Sequence, residues 1–373
     1  MTFEEDYLKL VSQIGNFTKE ITGISLVDAY FGPKNLSPEK TKSRLSPENL
    51  LMNLDTLIGK AKEINDELRR IAITSDLESL KVVVKWLSGE NIPYIRLVEG
   101  IFGITPSKFG QNEIRKAQQK VEEASITLPG ATVSEKILKW REKSKISGKT
   151  LKKMIDTEIA ELTKEIAQLF EKHIFTHFPT KIENKGVIYK TVKGKPWGAY
   201  NYYKGNYKSV NAFNIDRPFN KYGLIWTSCH EYEHHVANLC TEKYYRENKS
   251  LDLAAVLLHT KRSIIGEGTA DCARNFLDIQ LGGEYGELFE SLSNLGSMIG
   301  LNVAYMLNVE NADDETAAEY SASEGFIRIE DARKYTEFSK PLTHEGFPEL
   351  GGTHQSNPSQ SLPSYPYEEP EHR

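Results

Sequence analysis

Apolar residues recur every three or four positions over long stretches of the first half of the chain. This is the spacing that places side chains on one buried face of an α-helix. The segments Leu50–Ile73 and Thr150–Phe170 show the pattern most clearly, and proline or glycine interrupts it at Pro93 and at Pro129. The periodicity therefore predicts an N-terminal helical lobe over residues 1–180.

The composition changes near residue 182. Residues Gly186–Asp216 are rich in aromatic and β-branched residues punctuated by glycine, which predicts two or three short strands. Helical signals return near Leu224 and continue to about Tyr335. We therefore predict a mainly α fold with a small antiparallel β-sheet, a second lobe over residues 181–340, and a disordered tail over residues 341–373, where proline and serine are frequent.

The overall charge and cysteine content limit the classes of function. The chain has 373 residues, 39% of them hydrophobic, and a net charge of −5, so it can bury a sizeable core but lacks the basic surplus of a nucleic-acid-binding protein. Three cysteines indicate a reducing compartment rather than a disulfide scaffold. The acidic N-terminus is unlike a signal peptide, and the apolar stretch Met298–Val309 is far shorter than the about 20 residues of a membrane span. These features predict a cytoplasmic protein without nucleic-acid or membrane partners.

The segment His230-Glu-Tyr-Glu-His234 is an HExxH motif. Histidines four residues apart lie on the same face of a helix, so both imidazoles can bind one Zn²⁺ ion, and the intervening Glu231 can act as general base on the zinc-bound water. With nine histidines in the chain, about 0.02 such motifs are expected by chance. The apolar run that precedes the motif indicates a buried helix. His235 points about 100° away from His234 and is interpreted as a packing residue.

A catalytic zinc site needs a third protein ligand and one open position. The segment Gly266-Glu-Gly-Thr-Ala-Asp271 provides Glu267 and Asp271, which are four residues apart and therefore face the same way on a helix. We predict that Glu267 binds the metal and that Asp271 accepts a hydrogen bond from a liganding imidazole, which fixes its tautomer. The structural alternative is that Glu267 does not bind metal and only stabilises a helix N-terminus.

These two motifs together resemble the gluzincin metallopeptidases, and most closely an uncharacterised helical family allied to carboxypeptidase Taq. Shorter landmarks also occur in the order seen in that family, at Leu97–Gly103, Leu128–Gly130, Pro196–Tyr200 and Gly300–Tyr305. The resemblance covers roughly residues 95–340. It implies a two-lobed, zincin-like helical architecture with the sheet beside the zinc helix. It also implies an edge strand that binds the substrate backbone, for which Val210–Ile215 is the candidate.

Further residues are candidates for binding the substrate and the transition state. Tyr305, on a predicted helix that returns toward the site, is the first candidate for the donor that stabilises the developing oxyanion, with Tyr203 and Arg262 as alternatives. The substrate-binding candidates lie in or just after the candidate edge strand and are Asn211, Asn214 and Arg217.

The sequence thus predicts a zinc-dependent metallopeptidase that hydrolyses small peptides, with Zn²⁺ as cofactor and Glu231 as general base. Two alternatives stay open at this point. One is a non-peptidase zinc hydrolase of amides or esters, and the other is a catalytically inactive helical metal-binding protein. The composition is also compatible with a homo-oligomer.

Overall fold

A computed structural model describes residues 2–41, 45–195 and 197–340 of the chain. The predicted mainly helical fold with a small sheet is confirmed. The predicted disordered tail, residues 341–373, lies outside the described residues, as does Pro196. The helices are, in chain order, α1 (Phe3–Thr22), α2 (Pro47–Ala61), α3 (Glu67–Leu87), α4 (Tyr94–Phe102), α5 (Gln111–Ala124), α6 (Val133–Ser144), α7 (Gly148–Met154), α8 (Ala160–His173), α9 (Lys221–Asn248), α10 (Lys261–Phe276), α11 (Gly286–Asn308), α12 (Asp314–Gly325) and α13 (Ile329–Phe338).

The five strands within the described residues form two small sheets. They are β1 (Val27–Tyr30), β2 (Val187–Val192), β3 (Ala199–Tyr203), β4 (Ser209–Asn214) and β5 (Ala255–Leu257). Strand β1 pairs with β5 in an antiparallel ladder. The larger sheet has the order β2-β4-β3, in which β3 runs antiparallel and β2 runs parallel to β4. The segment Val210–Ile215 therefore forms most of the central strand, and its prediction as an edge strand is wrong.

The chain divides into two compact units, but not at residue 180 as the composition suggested. Residues 2–106 and 141–281 belong to the first unit, and residues 107–140 and 282–340 belong to the second. The first unit thus combines N-terminal helices with the predicted metal-binding segments. In the second unit, Asn302 of α11 holds the residues just before α5. Its side chain accepts a hydrogen bond from the Phe109 N–H at 2.8 Å and donates one to the Phe109 carbonyl oxygen at 3.1 Å.

Helix boundaries in the N-terminal region follow local capping signals. Helix α1 begins with a capping box in which the Thr2 hydroxyl accepts a hydrogen bond from the Glu5 N–H, and the Glu5 carboxylate accepts one from the Thr2 N–H. The apolar stripe predicted over Leu50–Ile73 belongs to two helices, α2 and α3, since Asp66 caps a new helix there. As a result Leu68 and Ile71 are exposed rather than buried.

Helices α8, α9 and α10 share an apolar core that sets how the two predicted metal-binding segments face each other. Phe170 of α8 packs against Tyr232 of α9, with ring centroids 5.6 Å apart. Cys229 and Val236 of α9 and Ala273 of α10 are buried in the same cluster. Because interiors are close-packed, this cluster fixes the rotation of α9 relative to α10.

Helix α10 is also tied to the N-terminal helices by a buried carboxylate. Asp76 of α3 accepts a bidentate pair of hydrogen bonds from the Arg262 guanidinium, with the Nε donor at 3.0 Å. Asp76 also accepts a hydrogen bond at 3.1 Å from the Tyr7 hydroxyl of α1. We call Asp76, Arg262 and Tyr7 the Arg262 clamp. It joins three helices at the N-terminal end of α10, five residues before Glu267.

Glu242 fastens the turn between β3 and β4 to helix α9. Its fully buried carboxylate accepts hydrogen bonds from the Tyr203 hydroxyl at 2.5 Å, from the backbone N–H groups of Asn206 and Tyr207 at 2.9 and 3.1 Å, and from Arg246 at 2.5 and 2.8 Å. Asn206 and Tyr207 have φ angles of 55° and 61°, which L-residues rarely adopt. The carboxylate therefore holds a turn that the local backbone does not favour.

Replacing Glu242 with alanine is expected to lower the free energy of unfolding by about 2–4 kcal/mol, because a buried hydroxyl and two backbone donors lose their acceptor. Urea denaturation measures this change. The matched control is Glu161→Ala on α8, where the ion pair with Lys164 is exposed on both sides and is worth about 0–1 kcal/mol. Equal stability of the two variants would contradict the anchoring role of Glu242.

Candidate metal centre

Helix α9 presents both histidines of the HExxH motif on one face. The helix begins after Asn220, whose side chain accepts a hydrogen bond from the Gly223 N–H, and it continues without interruption to Asn248. His230 is buried and His234 is partly buried. Their Nε2 atoms lie 3.1 Å apart, so both nitrogens converge on one point. The ring of Trp226, one turn earlier, packs against that of His230 at 5.2 Å between centroids.

Helix α10 brings Glu267 to the same point. Its Oε2 atom lies 3.5 Å from His230 Nε2 and 3.8 Å from His234 Nε2. These three residues form a group whose donor atoms all lie within 4.8 Å of one another. A tetrahedral ion with bonds of about 2.0–2.1 Å separates its donors by about 3.3 Å, close to the spacings found here. Two imidazoles and one carboxylate therefore fit a zinc ion in donor type and in spacing.

Asp271 contacts the outer nitrogen of His230. The distance from Asp271 Oδ1 to His230 Nδ1 is 2.9 Å, one helical turn after Glu267. A proton on Nδ1 that is held by this carboxylate leaves the Nε2 lone pair directed at the donor cluster. The structure thus places Asp271 where the sequence spacing predicted it.

The environment of the cluster shifts the protonation of its members. Burial lowers the pKa of His230, but hydrogen bonding to Asp271 and Glu267 outweighs burial and raises the pKa well above the ordinary histidine value. Burial raises the pKa of Glu231 to about 7, although the neighbouring His230 opposes this shift. A carboxylate with a pKa near neutrality is well suited to accept and return a proton.

Strand β3, rather than the predicted segment Val210–Ile215, runs beside Glu231. Asn214 N–H donates to Gly198 O, and Lys204 N–H donates to Lys208 O, so the even-numbered residues of β3 form the ladder with β4. The odd-numbered residues then direct their backbone groups away from β4. The backbone N–H of one of them, Asn201, acts on the Glu231 carboxylate and lowers its pKa.

The three predicted substrate-binding residues do not form a common surface at the cluster. Asn211 is fully buried and accepts a hydrogen bond at 2.5 Å from the Asn201 side chain. The buried Asn214 side chain donates hydrogen bonds to the backbone oxygens of Lys195 and Trp197, two residues that precede β3. Arg217 lies in the turn after β4, where its N–H donates to Asn214 O. The two asparagines are structural because β4 is the central strand.

The candidates for the oxyanion donor are also separated by the structure. The Tyr203 hydroxyl is bound to Glu242, and the Arg262 guanidinium is bound to Asp76, so both alternatives have structural partners. Tyr305 lies on α11 in the second unit, whereas the cluster lies in the first unit. Its assignment therefore stays a prediction.

A tyrosine and an aspartate that the sequence did not single out accompany the site. The Tyr200 hydroxyl of β3 donates a hydrogen bond to Asp28 of β1. Burial raises the pKa of the Asp28 carboxyl, and the charges of His234 and Glu267 also act on it. Tyr202 follows on the same side of β3, with its ring 4.7 Å from that of Tyr200. No motif marks Asp28, because it reaches the site through β1, a strand from the N-terminal region, whereas Tyr200 lies at the end of the landmark Pro196–Tyr200 without a predicted role.

His235 and the two glycines that flank Glu267 have non-metal environments. His235 is buried, with Nδ1 2.7 Å from the Ser209 hydroxyl and Nε2 3.0 Å from Asn184 Oδ1, in agreement with a packing role. A Cβ atom placed on Gly266 or Gly268 would meet no atom within 4 Å. These glycines therefore do not serve a close approach of α10 to α9.

Comparison with known proteins does not add to this description. No protein-family model and no curated protein matches the sequence. Among solved structures, the chain is similar to one described as a "putative lipoprotein" from Colwellia psychrerythraea, with 14% identity and a TM-score of 0.47. The similarity covers 93% of this chain and 60% of that one, so this chain spans less than two thirds of that protein's length. A similarity this weak supports no functional argument.

Among the described residues, no helix combines the length and the apolar character that a bilayer crossing requires.

Proposed function

We propose that the chain is a zinc-dependent metallohydrolase that cleaves peptide bonds in small peptides. The observation that carries the proposal is the convergence of His230 Nε2, His234 Nε2 and Glu267 Oε2 from two helices, with Glu231 beside them. Within the described residues this group offers three donors. Three protein ligands leave a position for water or substrate, which is typical of catalytic zinc, whereas structural zinc is usually enclosed by four.

Each residue has a defined task in the proposed reaction. His230, His234 and Glu267 would hold a Zn²⁺ ion, which would supply Lewis-acid activation of water and of the scissile carbonyl. Glu231 takes a proton from the attacking water and returns it to the leaving amine nitrogen. Asp271 keeps His230 in the tautomer and orientation that direct Nε2 into the cluster. The backbone N–H of Asn201 lowers the pKa of the Glu231 carboxyl and so favours the charged form that can accept a proton.

Strand β3 supplies a surface for an extended peptide. The odd-numbered residues Ala199 and Tyr203 direct backbone groups away from β4, on either side of the Asn201 contact with Glu231. A peptide that pairs with this edge in an extended conformation gains main-chain hydrogen bonds without a requirement for particular side chains. Strand β3 thus takes the role that the sequence assigned to Val210–Ile215, and it supports peptides as the substrate class.

The experiment is to load the full chain with one equivalent of Zn²⁺ and to follow hydrolysis of a mixed peptide library by mass spectrometry. Removal of the metal with a chelator is expected to lower the rate by more than about 100-fold, and added Zn²⁺ is expected to restore it, because metal-assisted hydrolysis depends on the ion. A parallel panel of small-molecule esters and amides tests the alternative hydrolase.

The outcomes of this experiment are distinct. Peptide cleavage that survives complete metal removal contradicts the proposal. Cleavage of esters or amides alone favours the non-peptidase hydrolase, and a chain that binds zinc without hydrolysing either panel favours the inactive metal-binding protein. The cytoplasmic location, the homo-oligomer and the absence of nucleic-acid and membrane partners stay predictions from the sequence.

A further inference from the structure

Glu233 is a buried carboxylate that the proposed reaction does not use. It lies on α9 between Tyr232 and His234, and its side chain is 9% exposed. Within the described residues its Oε2 atom is buried and has no hydrogen-bond partner. Burial of a charged oxygen without a donor is costly, and such groups in native structures usually serve a function or acquire a partner in another state. The Thr269 side chain bonds to this carboxylate and lowers its pKa, so the acceptor that still needs a donor is Oε2.

The outer nitrogen of the His234 ring is a neighbour of this oxygen. The distance from Glu233 Oε2 to His234 Nδ1 is 3.8 Å, about 1 Å longer than a charge-assisted hydrogen bond. When Nε2 of a neutral imidazole binds a metal, the proton must reside on Nδ1. Metal binding at the cluster thus places a donor, His234 Nδ1–H, opposite the acceptor that lacks one.

The two histidines then have equivalent support. His230 already has a carboxylate at 2.9 Å from Nδ1, supplied by Asp271 of α10. Glu233 occupies the corresponding place for His234 but from α9 itself, and at a longer distance. A shift of about 1 Å closes the gap, which small side-chain rotations of Glu233 and His234 can provide.

We propose that Glu233 is a positioning residue for the second zinc-binding histidine: its carboxylate accepts the Nδ1–H of His234 when the metal is bound, and this bond strengthens metal binding. The proposal rests on the proposed function insofar as that function requires zinc at the cluster. It makes Glu233 part of the affinity for the metal rather than part of the proton transfer. The bond also gives the buried oxygen its partner.

The test is the Zn²⁺ affinity of the full chain with Glu233→Gln, measured by competition with a chromophoric chelator. Loss of a carboxylate that supports a liganding histidine typically lowers metal affinity by about 10- to 100-fold, and we expect a decrease in this range. The matched control is Glu247→Gln on the same helix, where the glutamate side chain is 49% exposed, and its affinity should stay within about twofold of wild type.

Two further measurements separate positioning from a general structural role. The metal-free Glu233→Gln protein should melt at or above the wild-type temperature, because a neutral amide replaces a buried carboxylate, while its stabilisation by Zn²⁺ should be smaller. The visible absorption spectrum with Co²⁺ in place of zinc should change in the variant, since it reports the geometry of the ligands. Glu233→Asp, which retains the charge, should recover part of the affinity.

Unchanged zinc affinity and an unchanged Co²⁺ spectrum in Glu233→Gln, with wild type binding normally, would overturn this inference alone. A wild-type chain that binds no zinc would overturn the proposed function and this inference together. If the variant does not fold, the nitrogen NMR spectrum of zinc-loaded wild type decides the matter. A slowly exchanging His234 Nδ1–H supports the bond to Glu233, and a freely exchanging one contradicts it.

Discussion

Replacing Glu267 with glutamine is expected to weaken Zn²⁺ binding by at least about 100-fold. The change removes the charged member of the three-donor cluster, whereas loss of a supporting carboxylate outside the cluster already costs about 10- to 100-fold. The measurement is a zinc titration in competition with a chelator, together with metal analysis after dialysis. Because Glu267 is partly exposed, the fold itself should tolerate the amide.

The control for this prediction is Asp278→Asn, just beyond the end of α10. Asp278 is exposed and adopts a left-handed backbone conformation that asparagine also accepts, so the change removes a nearby charge without strain. Its zinc affinity should equal that of wild type. If Glu267→Gln retained wild-type affinity, the third ligand would have been assigned wrongly.

The second large effect is expected for Glu231→Gln, which should lower the rate of peptide hydrolysis by about 10²- to 10⁴-fold, the usual contribution of a general base. Glu231 lies beside the donor cluster without belonging to it, so zinc binding should change by less than about threefold. Single-turnover hydrolysis with a peptide identified from the library measures the rate.

Zinc content serves as the internal control for this variant, since a rate lost together with the metal would say nothing about proton transfer. Equal hydrolysis by Glu231→Gln and wild type, at equal zinc content, would eliminate the proposed base. The neutral amide can still accept the Asn201 N–H, so the side chain should stay in place.

The cluster could be predicted from the sequence because its geometry is mostly local. Two histidines four residues apart on one helix must face the same way, and so must Glu267 and Asp271 on another. The only long-range step was that the two helices meet, and the buried residues of α9 and α10 provide for it. The structure brings together all four residues that the motifs pointed to.

The surroundings of the cluster could not be predicted in the same way. The alternating pattern of Val210–Ile215 shows a strand but not whether that strand is central or at an edge, because the order of strands depends on distant pairing. Asn211 and Asn214 were therefore assigned to substrate binding although both are buried in the sheet. Asp28 joins the site from about 200 residues before Glu231, and no local signal predicts such a contact.

Helical periodicity also gave a wrong boundary where a capping residue starts a new helix. The apolar residues from Leu50 to Ile73 suggest one helix, but Asp66 starts a second one with a different rotation. Leu68 and Ile71 consequently face solvent. The sequence gives no signal for Glu233 for another reason. Its proposed role depends on the burial of its carboxylate and on the nearby His234 nitrogen, and a sequence shows neither.

The Arg262 clamp bears on the smallest fragment that could retain the metal site. A truncated chain beginning near residue 180 would contain the three proposed zinc ligands and Glu231, but it would lack Tyr7 and Asp76, to which the N-terminal end of α10 is attached. Helix α10 would then keep its buried contacts with α9 while its Arg262 lost its counter-ion. The N-terminal helices thus support the proposed metal site, and we expect a minimal fragment that retains this site to include them.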